Sequence, residues 1–230
     1  MILSLLSHAI KKFVRSSSAG RETAVQVMLG LLALVILGYS LAFGFALEMI
    51  IVKGLKQSNP IAFLNGILIY YVVGEFITRY FMQSLPVFDA QPYMHLPISR
   101  QTIVNFILCR SILHIANIFV FILFTPFALT VVANTNGLPV AMAWLLSIWC
   151  LSMSVHFVLV LLKNTLDENV WALVLFVSVF GGVAVSDYYG WLDLTTVSRS
   201  IFGYVLEAHV SVVAFLALPS FWYLLAFRFF

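Results

Sequence analysis

The residues best equipped for chemistry lie inside apolar stretches, where they are most costly. Glu75 and Arg79 stand one helical turn apart in the stretch 61–83, Arg110, His114 and Asn117 fall in 103–133, and His156 falls in 140–162. A charge at the centre of a membrane helix costs about 2.5–3.5 kcal/mol on insertion scales, so such residues pair or mark a working site. A carboxylate near a histidine could serve as a general base, if it comes within hydrogen-bond reach of the water it activates. The same groups could equally form a buried salt bridge. Spacings of four and three residues put Arg110, His114 and Asn117 on one helix face. At about 1.5 Å per residue, Glu75, Arg79, Arg110 and His156 reach similar depths, roughly 5–15 Å inside the bilayer. The expectation is a charge cluster of Glu75, Arg79, Arg110 and His156. In it Glu75 bridges to Arg79 within one span and to Arg110 on the next, unless the arginines snorkel separately to the surface. His114 and His156 read as hydrogen-bonded packing residues rather than metal ligands. No H-E-x-x-H, C-x-x-C, G-x-S-x-G or P-loop pattern occurs, so no catalytic, metal, cofactor or nucleotide site is expected in the chain itself.

The elements that must hold these residues are membrane helices. The chain has 230 residues, 63% hydrophobic and 9% charged, with a mean hydropathy of +1.06. A soluble domain carries roughly a quarter charged residues, and several runs here approach the roughly 20 apolar residues that cross a bilayer. Transmembrane β-strands would alternate in shorter segments. An all-α polytopic membrane protein follows, with no internal repeat and no linker that divides it. The net charge of +3 comes from scattered basic residues, which gives no footprint for nucleic acid. Cys109 and Cys150 both fall in apolar segments, unlike a secreted disulfide framework.

Residues 1–22 place Ile2, Leu3, Leu5, Leu6, Ala9, Ile10, Phe13 and Val14 on one face and Lys11, Lys12 and Arg15 on the other. That pattern predicts a helix lying in the membrane interface, an elbow before the first span. Spans are then predicted over about 23–52, 61–83, 103–133, 140–162, 170–186 and 209–230, about six in all. In the first, Gly38, Ala42 and Ala46 recur every fourth residue, a spacing that lets another helix approach closely or that arises by chance in a Gly/Ala-rich helix. Residues 187–208 open on Asp187, Tyr188, Tyr189 and Trp191, an interfacial set. Leu194, Val197, Ile201 and Val205 then predict an amphipathic helix on the far side. With the N-terminus inside, Lys11, Lys12, Arg15, Arg21, Arg100, Lys163 and Arg228 face the cytoplasm, while Lys53, Lys56 and Arg199 fall outside. The balance favours that orientation.

The connector 84–102 is then cytoplasmic. Pro86, Pro92 and Pro97 stop the preceding helix from continuing. Leu85, Val87, Phe88, Tyr93, Met94, Leu96 and Ile98 are more apolar surface than a simple turn requires, which points to a contact surface.

An elbow, about six spans and a connector reading Gln91-Pro92-Tyr93-Met94-His95-Leu96-Pro97-Ile98-Ser99-Arg100 resemble the membrane subunit of an ATP-binding-cassette exporter of the type-2 permease class. There a Leu-Pro-Ile-Ser-Arg-like segment followed by Ile or Val recurs at this place, here Leu96 to Arg100 with Ile103 and Val104. Leu5-Leu6-Ser7-His8, Arg21-Glu22, Phe63-Leu64-Asn65-Gly66 and Tyr70-Tyr71 resemble one permease subfamily of that class. Two features depart from the class: Asn105 and then Arg110 stand where many members place Gly-Lys, and members of that subfamily are considerably longer. The second implies that this chain is an N-terminal half or a fragment of a longer permease, and the class implies a second permease half or a homodimer as its partner. The resemblance implies that a separate ATP-binding subunit docks on Phe88, Gln91, Pro92, Tyr93, Leu96, Pro97, Ile98, Ser99 and Arg100. It also implies a multi-pass protein of the cytoplasmic (inner) membrane that moves an unnamed cargo, with no cofactor of its own.

The rival is an enzyme. Glu75-Phe76-Ile77-Thr78-Arg79 and His114-Ile115-Ala116-Asn117 are similar to parts of the motifs of CAAX-type intramembrane proteases. Position 74 is Gly, so the first carboxylate of that family's pair is missing. A third class is a membrane scaffold that carries out no transport.

Overall fold

The computed structural model describes residues 21–82, 99–112, 115–207 and 211–229. The interfacial elbow predicted at the N-terminus lies outside them except for Arg21 and Glu22, and so does the connector up to Ile98.

Every described element is helical. Helix α1 (Arg21–Met49) ends in a π-helical turn, Ile50–Gly54, closed by Lys56 in the left-handed region at φ 55°. Asn59 then starts α2 (Pro60–Met82), its Oδ1 accepting from Ala62 N at 3.0 Å. Proline costs nothing at the first helical position, because its missing N–H would have had no partner there. Ser99 starts α3 (Arg100–Ile112): its carbonyl accepts from Thr102 N at 3.0 Å, and its hydroxyl shares a 2.8 Å bond with Thr102 Oγ1. Next come α4 (Ile115–Phe127), a π turn over Ala128–Val132 and the short α5 (Ala133–Asn136), after which Gly137 turns the chain at φ 92°. Helices α6 (Leu138–Glu168), α7 (Val170–Tyr188), α8 (Leu194–Glu207) and α9 (Val212–Phe229) complete the order.

Among the described residues four helical stretches are long and apolar enough to cross a membrane: Gly30–Gly54, Pro60–Phe81, Gln101–Asn136 and Leu138–Lys163. Helices α8 and α9 meet at 117° and make a fifth if they count as one broken span. In α7 the apolar stretch Val174–Tyr188 is shorter. The count is thus four to five, against about six expected from apolar runs alone. The chain is a helical membrane protein, and all its described elements are helices.

Helix α6 is the centre. Of its apolar window 72% is buried, against 17% for α1 at the periphery. Trp144, Ile148, His156 and Val160 are fully covered. The contacts also set direction. Near the start of α6, Trp144 Nε1 donates to Asn65 Oδ1 near the start of α2 at 2.8 Å. At the other end Lys163 Nζ donates to the Tyr80 carbonyl at 2.8 Å and lies over its ring, 5.6 Å from the centroid. A cation there meets the negative end of the α2 dipole. So α2 and α6 run parallel. Tyr223 of α9 donates to Asn105 of α3, and Ala226 packs with Leu108, Val160 and Leu161. The end of α2, the start of α3, the end of α6 and the end of α9 therefore share one end of the bundle. Ile51, Ile61, Val131, Val132 and Ala141 pack together at the other.

Two sequence expectations change. Gly38 and Ala42 are exposed on α1, and a methyl added at Gly38 would meet nothing. The close approach is made by Gly44 instead, whose missing side chain leaves room for the Leu123 carbonyl and the Pro126 ring of α4. On α8 the buried face is Ser198, Phe202 and Val205, while Val197 and Ile201 are exposed. Ser198 explains the rotation. Its hydroxyl donates to the Asn65 carbonyl and accepts from Ile69 N at 3.2 Å, so a polar residue fixes the face turned towards α2. Val205 is buried as expected.

Asp193 starts α8. Its Oδ1 accepts from Thr195 Oγ1 at 2.5 Å and Thr196 N at 2.9 Å, and its Oδ2 accepts from Thr196 Oγ1 at 2.5 Å. The side-chain bonds from Thr195 and Thr196 lower its pKa from 3.8 to about 2. A depressed carboxylate adds stability above its unfolded pKa and loses it as pH falls through the folded one. Wild type should therefore lose stability between about pH 4 and pH 2 more steeply than Asp193→Asn. Melting curves of the two proteins across that range check it, and parallel curves would contradict it.

Candidate functional site

Glu75 and Arg79 stand one turn apart on α2, on a face turned to α6 and α4. Their side chains are 8% and 4% exposed. Arg79 Nε and Nη2 both donate to Glu75 Oε1, at 2.8 and 2.5 Å. Nη2 also donates to Ser152 Oγ at 2.8 Å, and Nη1 donates to Asn117 Oδ1 at 2.7 Å. Ser152 Oγ in turn donates to Glu75 Oε1 at 2.5 Å. A buried charge survives when its partners are this complete. The guanidinium suits the task because its donors fan out in a fixed plane.

The network continues onto α3. Asn117 Nδ2 donates to Ile112 O at 2.9 Å and to Ser111 O at 3.1 Å. Ser111 Oγ gives its proton to Leu108 O at 2.7 Å and shares a 2.9 Å bond with His156 Nε2. The hydroxyl proton being committed, His156 Nε2 is the donor of that pair. Four helices are joined: α2 through Arg79 and Glu75, α3 through Ser111, α4 through Asn117, α6 through Ser152 and His156.

Of the predicted cluster, Glu75 and Arg79 come together and His156 joins through Ser111. Arg110 does not pair with Glu75 and lies exposed on α3. Asn117 makes the link from α2 to the next span in its place, because one amide can accept from a guanidinium and donate to two carbonyls at once. Ser152 was the residue that the sequence hid: a serine in an apolar run gives no charge signal, although its place on the face of α6 that also carries His156 was readable. Of the predicted docking residues, Ser99 is exposed and caps α3, and Arg100 opens that helix. Phe88, Gln91, Pro92, Tyr93, Leu96, Pro97 and Ile98 lie outside the described residues.

The chemistry of the site is that of a clamp. Glu75 Oε1 is fully engaged by Arg79 and Ser152, whereas Oε2 is buried and has no hydrogen-bond partner among the described residues. Among the described residues no group of three His, Cys, Asp or Glu could hold a metal ion.

No curated protein and no solved structure matches the chain. Residues 9–230 match the family of unknown function DUF5687. The match spans nearly the whole sequence, and the chain belongs to that family.

Proposed function

We propose that the chain is the membrane-spanning permease subunit of an ATP-binding-cassette exporter of the type-2 class, seated in the cytoplasmic membrane with its N-terminus inside. A separate ATP-binding subunit docks on the connector 84–102, and a second permease half, or a second copy, completes the pathway. The observation that carries this reading is the connector sequence Leu96-Pro97-Ile98-Ser99-Arg100, set between two helices that the buried clamp ties together. Arg79 lies near the end of α2 that leads into the connector, and α3 leads out of it. A force passed from the connector to α2 or α3 thus reaches α4 and α6 through Asn117, Ser111 and Ser152. Prolines stiffen the point of contact.

Sidedness tests the arrangement. On a background without Cys109 and Cys150, cysteines at Ser99 and Thr165 should be shielded from a membrane-impermeant thiol reagent in intact cells, and cysteines at Gln57 and Asn136 should react. The shared ends of α2, α3, α6 and α9 fit this pairing of positions. External labelling at position 99 would remove the docking site from the cytoplasm and the proposal with it.

A further inference from the structure

Arg199 of α8 is an exposed cation with a prepared seat. Helix α8 turns Ser198, Phe202 and Val205 inward and leaves Thr196, Arg199, Ser200 and Glu207 exposed, the two-sided pattern of a helix at a membrane surface. The Arg199 side chain lies back across α2. A Cβ added at the buried Gly66 would stand 3.0 Å from Arg199 Nε and 3.6 Å from its Nη2. One edge of the guanidinium thus occupies the notch that glycine leaves. Gly203 follows one turn along α8 on the same side, and a Cβ there would touch nothing, which leaves room beside the charge. Gly66 is about 9 Å along α2 from its start at Pro60, so an arginine there lies within a side chain's length of the headgroups.

Holding a long side chain in one pose costs rotamer entropy, which a partner normally offsets. Among the described residues no hydrogen bond or ion pair holds Arg199. The carboxylates at the start of α8 are committed elsewhere. Asp187 accepts from Tyr70 Oη at 2.6 Å and from Leu194 N at 2.9 Å, and Asp193 accepts from Thr195 and Thr196. We infer that Arg199, seated on Gly66, binds the phosphodiester of a membrane lipid at the end of the bundle opposite the connector. The planar fork of a guanidinium matches two phosphate oxygens. A phosphodiester carries one negative charge, so the pair is neutral. The site stands whether or not the chain is a permease, and no ATPase is needed to test it.

The test uses the full chain in maltoside micelles with its arginine nitrogens isotope-labelled and read by NMR, the Arg199 Nε signal being identified by its loss in Arg199→Lys. Dihexanoyl phosphatidylglycerol should shift that signal saturably, and dihexanoylglycerol, which lacks the phosphate, should not. Inorganic phosphate offers the same chemistry without chains and should need at least about tenfold more to half-saturate the shift. Gly66→Ala keeps the charge but pushes the guanidinium from its seat, and only the mobile end of a side chain has to yield. It should raise the half-saturating lipid concentration between about threefold and tenfold, the worth of one hydrogen bond. Lys53→Gln/Lys56→Gln, which removes exposed charges near the same end, should leave it unchanged. Absence of a saturable shift, an equal response to dihexanoylglycerol or to inorganic phosphate, an unaltered Gly66→Ala, or an equal rise in the lysine variant would each overturn the proposal.

Discussion

Arg79→Met alone should destabilise the protein more than Arg79→Met combined with Glu75→Gln. The single change leaves a buried carboxylate facing Ser152 and no cation, and breaking one side of a buried pair costs about 3–5 kcal/mol in proteins. Partners within the membrane soften the loss, because a polar group in a bundle finds others, so about 3 kcal/mol is the expected size. Arg79→Met also strips Asn117 Oδ1 of its donor. The double change removes both charges and leaves the apolar bulk, which is often close to neutral. Reversible unfolding by a denaturing detergent in mixed micelles, read by helix content, gives all corners of the cycle. Additive losses would mean that the two side chains do not act as a pair.

Gly44→Ala and Gly38→Ala should change stability in opposite directions, though both replace glycine within α1. A helical glycine is worth up to about 1 kcal/mol less than alanine. At Gly38 nothing stands in the way of the methyl, so that gain should appear in full. At Gly44 the methyl would press on the Leu123 backbone oxygen and stand 3.0 Å from Pro126 Cγ. Backbone cannot give way as a flexible side chain does, and overpacking costs about 1–3 kcal/mol. The loss exceeds the propensity gain, and α1 should part from α4. Gly44→Val should lose more. The same unfolding assay checks this, and a stabilised Gly44→Ala would show that the helices separate at no cost.

The features legible in the sequence were those set by solvent and by local chemistry. Apolar runs announced the membrane helices, and the spacing of Glu75 and Arg79 announced the salt bridge. Features set by packing partners were not. In a bilayer, lipid and protein interior are equally apolar, so Val197 and Phe202 look alike although one is exposed and the other buried. The same ambiguity made Gly38 rather than Gly44 look like the contact. Arg110 lies exposed on α3 despite its charge, whereas Asn117 and Ser152 complete the clamp with neutral groups that carry no such signal in an apolar run. The span count fell because the apolar stretch of α7, Val174–Tyr188, is short and α9 counts as a span only together with α8 across a bend of 117°.

The central claim is that this chain is driven by an ATP-binding subunit held on the connector. The most direct measurement is recovery of an ATPase with the tagged chain from membranes, in the wild type and in Leu96→Asp/Arg100→Glu. An apolar anchor and a charge are the kinds of contact whose loss is most costly at an interface. An ATP-binding-cassette ATPase should copurify with the wild type and fall at least about tenfold in the double variant, while both chains insert and unfold alike. If such an ATPase is absent from the wild type, or is recovered equally with the variant, the account is contradicted.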